Sequence, residues 1–367
     1  MDWIRGGTLG HGSFAKVSLA VPRSQSSKLP PLMAVKSCGV SLSSSLMSEG
    51  VILEELKGCP EIIRCFGEGF SYENGDKINW ESKFKVVDQK SQKGKLIEGR
   101  REYNILLEYA SGGSLADKLK TSGDRRLREY EVRRYAKALL RGLNYIHKFG
   151  YVHCDLKREN ILLCQNDVVK IADFGLARKA VQRAGKCIRG TPLYMSPEMV
   201  AGGDQGAAAD IWALGCAVGE MLTGSTAWPY TDVAGLLMKI GAGDELPEIP
   251  EYLSEKAKFF LEKCFVKDPS KRWTAEMLLD HPFIHEQDYE GECTIVENIV
   301  STSPNCPFDF PDRWVSPAAC SVNPMPPPER QLESASCWSA AAAGRLVELV
   351  TNQSPDWSVS DDWVIIR

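Results

Sequence analysis

The sequence predicts an α+β chain of two lobes, a small β-rich one leading into a larger helical one. Two patterns carry that reading. Before about residue 110, apolar residues alternate with polar ones in short stretches bounded by Gly, Pro and Asn, which is the period of strands. From Glu129 onward they recur every three to four residues, the period of amphipathic helices. The length of 367 residues agrees, since it accommodates roughly two units of ~150 residues each.

Residues 3–21, WIRGGTLGHGSFAKVSLAV, alternate around a glycine turn and read as a hairpin, and MAVKSC (33–38) adds a third strand. Leu42, Leu46, Ile52, Leu53 and Leu56 fall at helical spacing, entered through serines 43–45 and stopped by Gly58 and Pro60. IIRCFGEGFSY and NILLEY read as further strands. The interval 73–102 between them, rich in Lys, Arg and Gly, reads as an insertion in a strand connection. In VRRYAKALLRGLNYIH, residues Val132, Tyr135, Ala136, Leu139, Leu140, Leu143 and Ile146 form one helical face. Further helices are expected in ADIWALGCAVGEMLTG, DVAGLLMKIG, SEKAKFFLEKCF and TAEMLLDH, each bounded by Gly, Pro or a capping residue. The lobes are thus set at about 1–110 and 111–285. After HPF (281–283) the periodicity stops, and residues 286–367, with nine prolines, read as an acidic, largely disordered tail.

The net charge of −4 divides unevenly, because residues 286–367 hold 13 Asp and Glu against 4 Arg and no Lys, leaving +5 on residues 1–285. No dense Lys/Arg stripe with interleaved aromatics is present, so nucleic acid is not the expected partner. The tail can instead fold back weakly on the body. No apolar run approaches the ~18 residues of a membrane span, and MDWIRGG lacks the charged-then-apolar form of a leader. Cytoplasm and/or nucleus is the expected location. Twelve cysteines without a CxxC pair or a Cys/His cluster read as small buried side chains in a reducing compartment rather than as a zinc site.

Chemistry concentrates in a few stretches. In LGHGSFAKV (9–17), Gly10 and Gly12 sit at a strand turn where backbone amides can approach a phosphate, although such glycines also make ordinary hairpin turns. Lys36 ends the apolar Ala34-Val35-Lys36, and Glu49 follows thirteen residues later on the candidate helix. An ion pair between them would aim the ammonium into a cleft; a solvated lysine and a surface glutamate are the alternative. VHCDLKRENILL (152–163) places Asp155, Lys157 and Asn160 within six residues, and Asp173-Phe174-Gly175 follows. Phosphoryl transfer needs Mg2+ bridged to phosphates by oxygen ligands, which Asp173 and Asn160 can supply, and an acceptor for the attacking hydroxyl's proton, which Asp155 can be. Lys157 would neutralise charge on the transferred group.

GxGxF, AVK, the helical Glu, HxDLKxxN, DFG, GTPLYMSPE and DIWALG occur in the order and spacing of eukaryotic protein kinases, and over residues 3–285 the chain resembles that family. The resemblance implies a bilobal protein kinase fold, with a small β-rich N-lobe and a larger helical C-lobe, that uses ATP and Mg2+. It places ATP between the lobes, under Leu9, Gly10 and Gly12, with Val17, Ala34 and Leu162 around the adenine. Glu108 and Ala110 offer hinge backbone groups, Leu107 is the gatekeeper, and Leu53, Cys65, His153 and Phe174 form a stack. Thr191 in the substrate segment would bond Asp155 and Lys157, and Glu198 would pair with Arg272. DLKxxN and Gly190-Thr191-Pro192 resemble the Ser/Thr-specific branch. MDWIRGGTLGHGSFAKVSLA, HCDLK and GTPLYMSPEM resemble plant MEKK-like MAP kinase kinase kinases, whose substrates are MAP kinase kinases. A kinase with other substrates and a pseudokinase scaffold share much of this signature.

Three positions depart from the family pattern. Arg158 stands where proline is common and Ala15 replaces the third loop glycine, yet neither change removes a charge, a metal ligand or the proton acceptor. Cys154 replaces an arginine that, in related kinases, binds a phosphate on the activation loop. Residues 175–189, GLARKAVQRAGKCIR, contain no Ser, Thr or Tyr, so activity independent of phosphorylation within 174–190 is expected. In the tail, Trp314, Trp357 and Trp363 each follow an Asp closely and either anchor a regulator or the kinase domain, or have no function. GRLVELV (344–350) reads as a short amphipathic helix.

Overall fold

The computed structural model of the chain describes residues 3–12, 15–23, 29–74, 77–82, 100–181, 189–202, 205–229 and 232–285; for 73, 74, 77–82 and 100 it describes the backbone alone. The first lobe contains β1 (Trp3–His11), β2 (Lys16–Pro22), β3 (Met33–Gly39), α1 (Ser43–Glu55), β4 (Cys65–Asn74), β5 (Lys77–Ser82) and β6 (Arg100–Glu108). The strands form one antiparallel sheet in the order β1-β2-β3-β6-β4-β5.

β3 is buried on both faces, and its alternation sorts the lobe into two layers. Met33 and Val35 join Trp3, Ala20 and Leu106 in a small cluster on the outer face. Ala34 and Cys38 face the main core, where Leu46, Ile52 and Leu53 of α1 pack.

The described residues of the interval 73–102 are strand. β4 runs on to Asn74, and Lys77–Ser82 returns beside it with Ser71 opposite Trp80. KINWES carries the apolar-polar alternation of a strand, but it lies inside a Lys- and Gly-rich stretch whose composition hides it. Residues 75–76 and 83–99, the rest of that interval, lie outside the described residues, as do 182–188 and the tail 286–367.

The second lobe begins with α2 (Leu115–Thr121), earlier than the periodicity from Glu129 indicates. Ser114 caps it: the hydroxyl accepts from the Asp117 N–H while the Asp117 carboxylate accepts from the Ser114 N–H, so two orphan donors of the first turn are satisfied. Then follow α3 (Glu129–Lys148), β7 (Tyr151–Val152), β8 (Ile161–Leu163), β9 (Val169–Ile171), β10 (Arg178–Lys179), α4 (Pro197–Val200), α5 (Ala207–Thr223), α6 (Val233–Ala242), α7 (Glu255–Cys264), α8 (Ala275–Leu279) and α9 (Pro282–His285). β7 pairs with β10 and β8 with β9, each over two or three residues.

α5 is apolar around most of its circumference and is buried accordingly, with Ile211, Trp212, Leu214, Val218 and Met221 all in the core. Gly224 ends it at φ +74°, and a Cβ there would lie 2.9 Å from the Asp124 carbonyl oxygen. One continuous core joins α3, α5 and α7 to α1 and the inner face of the sheet, and β8, β9 and Phe174 lie in it between the lobes. Among the described residues no helix is long and apolar enough to cross a membrane.

Candidate active site

The stretch from β7 to β8 is shaped by a carboxylate beneath it. Asp210, in the first turn of α5 and 1% exposed, accepts the His153 N–H (2.9 Å) and the Cys154 N–H (3.0 Å) and lies 2.9 Å from His147 Nε2. Burial pushes Asp210 up, but the hydrogen bond and charge of His147, then His153, outweigh it and hold the carboxyl below its ordinary range. With its N–H fixed in this way, Cys154 takes φ +69°, a left-handed conformation that non-glycine residues seldom adopt.

The next residue, Asp155, is buried among groups that all address its carboxylate. The Thr191 hydroxyl donates to Oδ1 (2.8 Å) and Asn160 Nδ2 to Oδ2 (2.8 Å), while Lys157 Nζ sits 3.7 Å from Oδ2 and donates to Thr191 Oγ1 (3.0 Å). Burial raises the carboxyl to about 7, against the pull of Lys157 and of the Thr191 hydrogen bond.

A second chain of charges crosses between the lobes. Lys36 Nζ donates to Glu49 Oε2 (2.7 Å) and to Asp173 Oδ1 (2.8 Å). Of the two readings open for Lys36 and Glu49, the structure forms the ion pair. Glu49 is 1% exposed, and its other oxygen accepts the Phe174 N–H (3.3 Å). Burial disfavours the Lys36 ammonium, but Asp173 and then Glu49 outweigh it and keep it charged. Burial likewise pushes Asp173 up, and Lys36 more than reverses that. One turn before Glu49, the Ser45 hydroxyl donates to the Gly175 carbonyl (2.9 Å) and ties the start of α1 to the DFG segment.

Asp173 and Asn160 fit a divalent ion that is shared with phosphates. Both amide hydrogens of Asn160 are spent on Asp155, on its carbonyl and its Oδ2, each at 2.8 Å, which leaves the amide oxygen as the ligating atom. Asp173 uses Oδ1 on Lys36, leaving Oδ2. Among the described residues no group of three or more His, Cys, Asp or Glu can hold a metal unaided. One carboxylate and one amide oxygen suit Mg2+, which keeps several waters and takes phosphate oxygens as further ligands.

The expected nucleotide-enclosing residues differ in burial. Val17 and Leu162 are half-buried against the main core, Ala34 is buried in it, and Ala34 faces Leu107 across the β3–β6 ladder. A Cβ at Gly10 would meet nothing within 4 Å, and the Gly12 N–H donates to the Ala15 carbonyl (2.8 Å). Leu9 is 45% exposed and packs into neither core cluster. At the hinge, Glu108 donates its N–H to the Arg64 carbonyl (2.8 Å) and pairs through its side chain with Lys170 (2.9 Å), and the Ala110 carbonyl accepts from Gly113 (3.2 Å). His153 and Phe174 meet edge to face at 4.9 Å, with Leu53 and Cys65 in the same cluster. Far from the cleft, Arg272 makes a two-pronged pair with Glu198 (2.7 and 3.0 Å).

Sequence reasoning placed Asp210 only as the first residue of DIWALG and Ser45 only at a helix entry, and it passed over Gln205. Asp210 had a signal, an acid at the head of an apolar helix, where it must be satisfied or functional. Ser45 and Gln205 had none, because each acts through a backbone carbonyl more than fifty residues away in sequence.

A family model described as protein kinase domain matches residues 3–284. The chain is 44% identical over 381 aligned residues, covering all of both chains, to Mitogen-activated protein kinase kinase kinase 20 of Arabidopsis thaliana. It is 38% identical to Mitogen-activated protein kinase kinase kinase 18 of the same plant over 84% of each chain. With Mitogen-activated protein kinase kinase kinase 17 the identity is 37%, over 84% of this chain and 76% of the other.

Proposed function

The chain belongs to the protein kinase family, as an ATP-dependent serine/threonine kinase, and from that premise we propose that it transfers the γ-phosphoryl group of Mg-ATP to a MAP kinase kinase. Residues 1–285 form the catalytic unit, and 286–367 are a separate acidic segment. The observation that carries the residue roles is the meeting of Asp155, Lys157 and Thr191 within 2.8 to 3.7 Å, beside the Lys36–Asp173 pair. The choice of acceptor is supported by the relatives, which are named as kinases of that tier.

Asp155 accepts the proton of the acceptor's Ser or Thr hydroxyl as its oxygen attacks the γ-phosphorus and the bond to the β-phosphate bridging oxygen breaks, leaving ADP. Lys157 lies where it neutralises charge on the group in flight, and Thr191 keeps Lys157 and Asp155 in register. Lys36, held by Glu49, positions the nucleotide's phosphates. Bound Mg2+ supplies charge neutralisation at those phosphates, and Asp173 and Asn160 are the residues that would hold it. The test is labelling of purified, catalytically inert MAP kinase kinases by this chain and by its Asp155→Asn and Lys36→Met variants. Loss of the base is expected to lower turnover by ~10² or more. Equal labelling by all three proteins would refute the residue roles. Labelling of general acceptor proteins but of no MAP kinase kinase would refute the acceptor.

A further inference from the structure

Cys154 immediately precedes the proposed proton acceptor, and its peptide groups are gripped on two sides. Its N–H is fixed by Asp210, as described above. Its carbonyl oxygen accepts from Gln205 Nε2 at 3.1 Å. The side chain of Gln205 comes from the segment just before α5 and is buried at 8% exposure. The same carbonyl is crowded from the other side by Gly190, where φ is +121° and a Cβ would stand 3.0 Å away. The plane that leads into Asp155 is thus set at its carbonyl by the Gln205 amide and Gly190 and at its N–H, which donates to His153 Nδ1 at 3.3 Å, while Asp210 fixes the plane before it.

Gln205 is held in turn. Its backbone carbonyl accepts a hydrogen bond from the Arg178 guanidinium. Arg178 lies on β10, directly opposite Val152 of β7. Its charge also reaches the Cys154 thiol: burial and Asp210 push that thiol up, and Arg178 works against them. Arg178, Gln205 and Cys154 therefore form a closed relay, from the start of the activation segment through the segment ahead of α5 to the peptide before Asp155. An arginine at 154 would place a second cation beside Arg178 and call for an anion between them. With the neutral Cys154, the Gln205 carbonyl accepts from Arg178 and the Gln205 amide donates to the Cys154 carbonyl.

We propose that Gln205 is a positioning residue: its side-chain amide and backbone carbonyl link Arg178 to the Cys154–Asp155 peptide and orient Asp155 without a phosphate on the activation segment. This rests on Asp155 as the proton acceptor. Phosphoryl transfer tolerates little misplacement of that carboxylate, whereas nucleotide binding is made by other residues. Loss of the Gln205 donor should therefore appear in kcat rather than in ATP affinity.

The experiment compares the full-length chain with Gln205→Met, close to Gln in length and without any donor, and with Gln205→Glu, which lacks the donor only while its carboxyl is ionised. Gln205→Met is the deciding variant. Readouts are kcat and KM for ATP with an inert MAP kinase kinase as acceptor, Kd for Mg-ATP, and Tm. The expected result is a roughly tenfold loss of kcat with KM and Kd for ATP within twofold of the parent, from a parent enzyme that stays active after phosphatase treatment. Parent-like kcat in the variants would overturn the proposal, as would inactivation of the parent by phosphatase. Parallel losses of kcat, ATP affinity and Tm would mark a purely structural role and also overturn it. Asp155→Asn in the same assay separates the two levels, since full activity there sinks the proton-acceptor role itself, whatever Gln205 does.

Discussion

Burial pushes the Asp155 carboxyl up to about 7 from an ordinary 3.8, and Lys157 and Thr191 only partly oppose that push. A general base works deprotonated and best near the working pH, and kcat/KM reports the free enzyme, so the acid limb of kcat/KM is expected to fall through about pH 7, roughly tenfold per pH unit below it. A pH–rate profile checks this, and a flat profile from pH 5 to 8 would refute it. The same shift has a cost in stability. A carboxyl raised in the folded state contributes stability that is fully present below its unfolded value and is lost as pH rises through its folded value. Asp155→Asn is therefore expected to raise Tm at pH 8 and to lose most of that advantage at pH 5, between the two values, while lowering turnover by ~10² or more; thermal melts at the two pH values test it. These residues were legible in the sequence because the chemistry needs them at short, fixed spacing. Asp155, Lys157 and Asn160 fall within six positions of one loop. Gln205 was not legible, since its meaning is a hydrogen bond to the carbonyl of Cys154, fifty-one residues away.

The elements show the same division between local and distant causes. α3, α5 and α7 were readable because ten or more residues repeat an apolar period. The β7–β10 and β8–β9 pairs were not, because two or three residues carry no period. β5 was masked by its Lys- and Gly-rich surroundings, and α2 is seven residues whose clearest signal is the Ser114 cap. The four-residue helix α4 is different again, since it depends on a tie at a distance. Its Glu198 is held by Arg272, whose side chain is 0% exposed and also donates to the carbonyls of Val266 and Ala208. Removing one partner of a buried pair leaves the other charge uncompensated, at about 3–5 kcal/mol. Arg272→Ala is expected to lose stability on that scale in denaturant melts. Arg272→Lys should recover little of it, because an ammonium cannot match both carboxylate oxygens and two carbonyls. A loss under 1 kcal/mol for Arg272→Ala would refute this role.

At the scale of the whole molecule, the two lobes meet through ties that cross the cleft: Lys36 with Asp173, Ser45 with the Gly175 carbonyl, and Glu55 of α1 with the Tyr151 hydroxyl at 2.8 Å. A ligand that engages both sides of the cleft binds the folded chain and not the unfolded one, so it must stabilise the fold as a unit. At one hundred times its Kd such a ligand contributes about 2.7 kcal/mol. For the unit of residues 1–285, with an unfolding entropy of ~2.1 cal/mol/K per residue, that corresponds to a rise in Tm of about 4–5 °C. Mg-ATP is expected to produce a rise of that size, and ATP with EDTA a clearly smaller one, because Asp173 and Asn160 can grip the phosphates only through the ion. Asp173→Asn keeps the side chain's size and removes its charge. In that variant the Mg2+-dependent part of the shift should vanish while a metal-independent part, from the apolar cleft around Val17, Ala34 and Leu162, persists. Thermal shift measured with ATP, with and without Mg2+, on both proteins decides the matter. A Mg2+-dependent rise of the same size in Asp173→Asn would show that the ion is held elsewhere, and no rise in either protein would show that the cleft does not take the nucleotide.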